Sequence, residues 1–291
     1  MKKNLKQLNF VMPIFLAILT IFTSCSNEDD QTNEAITGEE VITATELKIS
    51  DESEMISEEV TAIAEDVYAT DEIASLSKAT YFSDYLPDCV TITTVVTDTT
   101  REKTIDFGDG CELPNGNILG GIINLSYSKD MELAQKSIAL SLVNFTFNSV
   151  VVEGSATILR VRSNENGNPQ GTAEASFNAT WPEGETASFT GTRTREWIEG
   201  YGSGFWGDNV FLITGKRTFI NKIGNTFEKE VISPLRRELS CRFIVSGVLS
   251  ITRNDNTASL DFGDGTCDAK GVLTKPDGTS EEVFLRRFLK N

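Results

Sequence analysis

The stretch Ala173-Glu174-Ala175-Ser176-Phe177-Asn178-Ala179-Thr180-Trp181 puts Ala, Ala, Phe, Ala and Trp on odd positions and Glu, Ser, Asn and Thr on even ones. Successive side chains of a strand point to opposite faces, so a period of two sorts these residues into one apolar and one polar face. A helical period would scatter them around the axis. Pro182-Glu183-Gly184 follows at once, and the segment reads as a half-buried strand that ends in a tight turn.

Working outward, the same alternation recurs. Phe243, Val245, Leu249 and Ile251 form a second apolar face, and Ile138, Leu140 and Leu142 change parity to Phe145 and Phe147, which predicts a bulge. Turns are expected at Asn166-Gly167-Asn168-Pro169, Ile223-Gly224-Asn225, Asn254-Asp255-Asn256 and Pro276-Asp277-Gly278. About twelve strands over roughly 200 residues fit one all-β domain, 81–291. Half-polar faces argue for a large antiparallel sheet, curved or a loose sandwich, over a parallel α/β core.

Upstream, Ile56, Val60, Ile63 and Val67 fall at helical spacing after Ser50 and Asp51. One amphipathic helix is expected near 52–69, within a 51–80 helix-and-connector segment, with its apolar stripe docked on the β body. Residues 26–50 lack apolar periodicity and read, with Cys25, as an acidic tether.

Lys2, Lys3 and Lys6 precede an apolar run at 10–22. Thirteen helical residues rise only about 20 Å, short of a bilayer core, so a secretory signal over 1–24 fits better than a span. The run ends at Phe22-Thr23-Ser24-Cys25. This resembles a bacterial lipobox, with Phe22 where Leu is usual, and the resemblance implies that Cys25 is acylated and anchors the mature chain to a membrane. Ser26-Asn27-Glu28-Asp29-Asp30-Gln31 is similar to the surface-export signal of Bacteroidota lipoproteins and implies display on the outer membrane, facing the cell exterior.

The chain has 291 residues, 43 acids against 26 bases, a net charge of −17 and no histidine. Lack of His excludes Ser-His-Asp and Cys-His nucleophile systems and imidazole metal ligation. Sixteen acids lie between Glu28 and Glu72 against Lys48 alone, which places the acidity in the leader and not in the body. No basic stripe appears, so nucleic acid is not an expected partner, and no cofactor is expected.

Four cysteines remain beside Cys25 and suggest disulfides in an oxidising compartment. Cys89 precedes, and Cys111 follows, a hairpin ending in Asp106-Phe107-Gly108-Asp109-Gly110. Cys241 and Cys267 bracket another that contains Asp261-Phe262-Gly263-Asp264-Gly265. Of three connectivities, Cys89–Cys111 and Cys241–Cys267 suit neighbouring strands best, whereas a zinc site lacks CxxC spacing. These paired hairpins resemble lipoproteins of Flavobacteria-type Bacteroidota. So do Arg193-Thr194-Arg195-Glu196-Trp197-Ile198-Glu199-Gly200, Val210-Phe211-Leu212-Ile213-Thr214-Gly215 and Cys241-Arg242-Phe243-Ile244-Val245-Ser246-Gly247. The resemblance covers most of 50–291, implies an anchored β protein and transfers no activity.

Several clusters are candidates for chemistry. Asp106, Asp109, Asp261 and Asp264 are weak calcium candidates, because residues three apart on a strand diverge unless the glycine turn converges them; otherwise the Asp-Gly pair closes the strand while Phe packs inward. Trp197, Tyr201, Phe205 and Trp206 lie within ten residues beside carboxylates and could stack on a sugar or cover an apolar ligand. Glu196 and Glu199 face opposite ways, against the carboxyl pair of a glycosidase. Arg193 and Arg195 share a face with Phe189 and Trp197, a pattern for Arg–Trp stacking or an anion site. The expected role is non-catalytic: an anchored envelope protein with structural or binding work and an envelope protein, glycan or lipid partner. A carrier of a lipid or other hydrophobic ligand in a curved sheet and a carboxylate-based glycan hydrolase are the alternatives. Oligomeric state is not legible.

Overall fold

Each marked turn reverses the chain, and the strands between them pair with their neighbours in sequence. The computed structural model describes residues 41–78, 81–241 and 243–285, all within one compact unit; Cys25 and the acidic hexapeptide lie outside the described residues. After one helix come β1 (Thr91–Val96), β2 (Thr100–Asp106), β3 (Cys111–Glu112), β4 (Ile118–Ser128), β5 (Gln135–Phe147), β6 (Val150–Val161) and β7 (Gln170–Thr180). Then follow β8 (Thr186–Glu199), β9 (Val210–Asn221), β10 (Thr226–Glu238), β11 (Ile244–Arg253), β12 (Asn256–Asp264), β13 (Lys270–Thr274) and β14 (Ser280–Phe284). They form a single antiparallel meander, an open sheet with β1 and β14 at its edges; β3 pairs only with β4, so β2 also lies beside β4. The two strands beyond the expected twelve come from short pieces such as β3, two residues long. The parity change in β5 is a register shift between Ser141 and Phe145. Both expected disulfides form, Cys89–Cys111 and Cys241–Cys267, each with Cα atoms 5.8 Å apart.

The helix differs from expectation. α1 runs from Ala44 to Ser77, 34 residues, and takes seven residues assigned to the tether. Its start is a capping box. The Glu46 amide donates to Thr43 Oγ1 at 3.2 Å and the Thr43 amide donates to Glu46 Oε2 at 3.0 Å, the reciprocal pairing that a Thr-x-x-Glu sequence offers. It ends at Lys78 in the left-handed region.

Burial of α1 is not one-sided. Every residue from Ile56 to Glu65 is buried, nearly three turns; a helix resting on a flat sheet would leave its outer face wet. The sheet therefore curls around the helix, and α1 makes polar contacts with residues from β2 through β11. Glycines on the inner face let the sheet bend. Gly191 has φ +137° and lies opposite Arg217, and Gly215, at φ +115°, lies opposite Arg193. A Cβ at 191 would stand 2.8 Å from the Arg217 Cα, closer than backbone tolerates, and the conformation itself is one that L side chains rarely adopt.

Gly191→Ala is expected to lower stability by more than about 1 kcal/mol, measured by chemical denaturation. Gly110→Ala, whose added Cβ would meet only Ile118 Cγ2 at 3.5 Å, serves as the near-neutral control.

Candidate functional site

The interior carries charge where a β core usually carries hydrocarbon. α1 contains ten acids and one lysine, and the inner face of the sheet answers them along its length. Glu46 meets Arg253 at 3.3 Å; Glu54 meets Arg193 at 2.8 Å and Arg217 at 2.9 Å; Glu58 meets Arg195 at 3.3 Å. Further along, Glu65 meets Arg195 at 3.4 Å, Glu72 meets Arg160 at 3.1 Å, and Asp71 meets Arg101 and Lys103 at 2.8 and 2.9 Å. Glu52 accepts the Trp181 indole N–H at 2.7 Å, and Glu59 accepts from Asn115 and from the Tyr85 hydroxyl. A buried charge is costly unless paired and hydrogen-bonded, so each carboxylate dictates a partner opposite it.

The electrostatics follow from this arrangement. Burial would raise the Glu54 carboxyl, but Arg193, Arg217 and Lys229 outweigh it and hold it at about 2. Burial pushes the Lys229 ammonium down, with Glu54 opposing; its Nζ donates to Ser50 Oγ at 3.1 Å. Asp66 lies off this network. Burial drives its carboxyl from 3.8 to about 6, Ser83 lowers it through a hydrogen bond, and Asp84 raises it.

Arg193 and Arg195 therefore do face an anion, one supplied by the chain's own helix. The stacking expected on Trp197 is displaced: Arg195 sits 4.2 Å from the Phe211 ring centroid, and Arg160 is the guanidinium near Trp197, at 6.0 Å. Sequence reasoning missed Arg160, Arg217, Lys229 and Arg237. The available signal was parity, since Arg160 shares its face with Ala156 and Ile158, and Arg217 shares its face with Ile213 and Phe219.

Of the four aromatic candidates, three pack on the core and only Phe205 is exposed. Trp197 is buried, donates its indole N–H to Asn209 Oδ1 at 3.0 Å and packs edge-on against Tyr201. The Tyr201 hydroxyl donates to Glu72 Oε2 at 2.8 Å, which makes these two residues part of the interior. In the β8–β9 loop Phe205 turns outward, while Trp206 is half-buried against the core with its ring 5.9 Å from that of Tyr85. That loop is tied to the segment before β1: the Asp84 amide donates to the Gly204 carbonyl at 3.1 Å, and the Trp206 amide donates to Asp84 Oδ1 at 2.6 Å. The joined loops present Phe205, 56% exposed, and Phe82, 75% exposed. A shallow cleft beside them is lined by Pro114, Asn115, Phe205, Trp206 and Leu239.

Other candidates resolve locally. Asp106 Oδ1 accepts the Gly108 amide at 2.8 Å and Asp261 Oδ1 accepts the Gly263 amide at 2.9 Å, while Phe107 and Phe262 are buried. The first repeat is thus a strand-closing turn and the second a bulge at the end of β12, each with its Phe packed inward. Asp109 is exposed, and Asp264 Oδ1 accepts from Thr266 Oγ1 at 3.0 Å. Among the described residues no group of three or more Cys, Asp or Glu is arranged to hold a metal. Glu196 accepts from Asn166 and Asn168 at 2.8 Å each, and Glu199 pairs with Arg236 at 3.0 Å; each has its own partners.

A small cavity of about 40 Å³ lies between α1 and β10–β12. From α1 it is lined by Asp51, Glu54, Met55, Glu58, Glu59 and Ala62, and from the sheet side by Arg195, Lys229, Arg237, Leu235, Leu249 and Phe262 among others. No family model, curated protein or solved structure matches the chain.

Removing one member of a buried pair strands the other. Arg160→Met is expected to cost about 3–5 kcal/mol, and the double variant with Glu72→Met should be more stable than the single, as read by urea denaturation. The pH profile has two limbs. Glu54, with a lowered folded pKa, contributes stability present above about 4.5 and lost as pH falls toward about 2. Asp66, with a raised one, contributes stability present below about 3.8 and lost as pH rises through about 6. The melting temperature should peak between these limbs, and Asp66→Asn should flatten the upper one alone.

Proposed function

We propose that this is a lipid-anchored envelope lipoprotein, held at the outer membrane through Cys25 and facing the cell exterior. It works without catalysis by presenting a stapled β body to other envelope macromolecules. The observation that carries the presenting role is the occupied interior. α1 fills the curl of the sheet and its carboxylates are met by sheet cations, which leaves the rim and outer face as the main contact surfaces. Within them the Phe82–Phe205 rim supports a contact role, because two large aromatic side chains lie open on loops that hydrogen bonds hold together. Exposed aromatics on a fixed support are the usual anchors of interfaces. The address rests on Phe22-Thr23-Ser24-Cys25 and the acidic residues after it.

Cells fed an alkyne analogue of palmitate should label the wild-type chain and not Cys25→Ala, and protease added to intact cells should degrade the labelled protein. Photo-crosslinking residues placed at 82 and 205 should each yield the same discrete adduct, with none from position 174 on the polar outer face of β7. Labelling that survives Cys25→Ala would overturn the anchor, and equal adducts from all three positions would overturn the rim as the contact surface.

A further inference from the structure

We propose that the free edge of β1 joins two copies of this chain, antiparallel and around a twofold axis at Thr94. The sheet ends there: among the described residues no strand lies beyond β1. Every residue from Thr91 to Val96 is exposed, so neither face of the strand is covered. A strand edge is a row of unpaired backbone donors and acceptors, and natural sheets blunt such rows with charge, proline or a bulge. The opposite edge follows that rule, since β14 carries Glu281 and Glu282, paired with Lys275 and Lys270. β1 breaks it. Thr91-Ile92-Thr93-Thr94-Val95-Val96 has no charge, proline or glycine, and each residue is β-branched, a class that favours strands. It pairs with β2 with no shift of register.

Backbone parity fixes how a second strand docks. The Thr97 amide donates to the Thr100 carbonyl at 2.9 Å, so the ladder to β2 uses Thr97 and then every second residue, Val95, Thr93 and Thr91. Ile92, Thr94 and Val96 therefore aim their N–H and C=O groups at the free edge. Antiparallel pairing that keeps the inner faces of both sheets on one side joins residues of like parity. The register in which all three outward residues take part is centred on Thr94. It sets Ile92 against Val96 of the other copy, Thr94 against its counterpart, and Val96 against Ile92, each pair exchanging both of its hydrogen bonds. On the opposite face Val95 meets Thr93. Ile92, Val95 and Val96, large apolar side chains left open in one copy, gain cross-strand neighbours in two, and no charge is set against a like charge. Docking β1 on β14 of another copy would instead lay Glu281 and Glu282 along a strand that offers no cation. That contact is also head-to-tail, whereas β1 on β1 is self-complementary and closes at two. Six residues a side make a small interface, so the dimer forms with rising concentration.

The contact lies in 91–96 and not in membrane attachment, so it stands or fails apart from the lipid anchor. The full chain carrying Cys25→Ala is examined by sedimentation velocity from about 1 to about 200 μM, where monomer should pass to dimer and to nothing larger. Thr94→Pro removes an N–H that faces away from β2, which leaves the ladder to β2 its bonds. It should weaken dimerisation at least ten-fold with little change in melting temperature. Thr94→Cys places two thiols on opposed Cα atoms about 5.5 Å apart and should close a disulfide between copies under mild oxidation. Thr93→Cys alone should not, but an equal mixture of Thr93→Cys and Val95→Cys should. Monomer throughout the range overturns the proposal, as does a dimer that survives Thr94→Pro or an assembly that grows past two. Thr93→Cys linking by itself as readily as Thr94→Cys overturns the register. Disulfide capture of a different protein by Thr94→Cys in cells, in place of its own copy, overturns the second copy as the occupant.

Discussion

The structure depends on ion pairing between a helix that is almost purely acidic and a sheet whose inner face is cationic. Neither partner could be buried alone. α1 carries ten acids and one lysine, and its middle turns are enclosed on all sides; unpaired, a single such carboxylate in a dry interior costs several kcal/mol. The inner face of the sheet has the complementary problem, with Arg160, Arg193, Arg195 and Arg217 all essentially inaccessible to water. Hydrophobic contacts supply the bulk of the burial, through residues such as Ile56, Val60 and Ile63 on the helix and Phe177 and Phe219 on the sheet. Those contacts would tolerate a sliding helix, whereas the pairs fix its register, because a shift of one residue sets carboxylates against apolar rings.

That requirement reaches into the backbone. An open sheet must curl closely enough for strands from β2 to β11 to reach one helix, and bulky guanidinium groups must fit on the inside of the curve. Gly191 opposite Arg217 and Gly215 opposite Arg193 resolve both demands at one place: each glycine removes a side chain where its partner brings the largest one, and each bends the strand inward. The disulfides act elsewhere, closing segments of 22 and 26 residues near the two ends of the meander. The pairs they assist are remote in sequence by comparison. Glu54 and Arg217 are 163 residues apart and Glu46 and Arg253 are 207 apart, so the sheet folds largely from local hairpins while the helix is held by distant contacts.

How much of this was legible follows from what each signal measures. Period two, turn residues and cysteine spacing are local, and they gave the meander, the bulge after Leu142, the hairpin turns and both disulfides. Thr43-x-x-Glu46 is also local, and reading it would have moved the helix start from the low fifties to 44. The charge distribution misled for a physical reason: in a sequence, a run of acids looks the same whether water or arginine neutralises it. Ten of the sixteen acids assigned to a leader are in α1, and their counter-charges lie on strands far along the chain. Inward parity of Arg160 and Arg217 was the missing clue, since a charge on the apolar face of a strand implies a partner facing it. The aromatic loop was half legible for a similar reason: spacing located the four rings but could not tell that Trp197, Tyr201 and Trp206 pack on the interior while Phe205 lies open on the rim.

The same pairing explains why the interior is tightly packed on one side of α1 and leaves a small cavity on the other. Toward β6–β9 the cations come at close intervals, and helix and sheet are drawn together by contacts near 3 Å. Toward β10–β12 the inward cations are Lys229, Arg237 and Arg253, and between the first two the register with β9 breaks from Glu230 to Leu235 around Pro234. A proline there removes a backbone donor and fits only where the pairing is already interrupted. The strand bulges, Leu235 takes the inward position, and Arg237 donates to the Cys241 and Glu238 carbonyls. Leucine, isoleucine and phenylalanine therefore share the lining of the small cavity there with the helix carboxylates. An interior organised by charge packs tightly where cations follow one another along the sheet, and where the β10 bulge interrupts that order it leaves a small cavity of mixed polar and apolar lining.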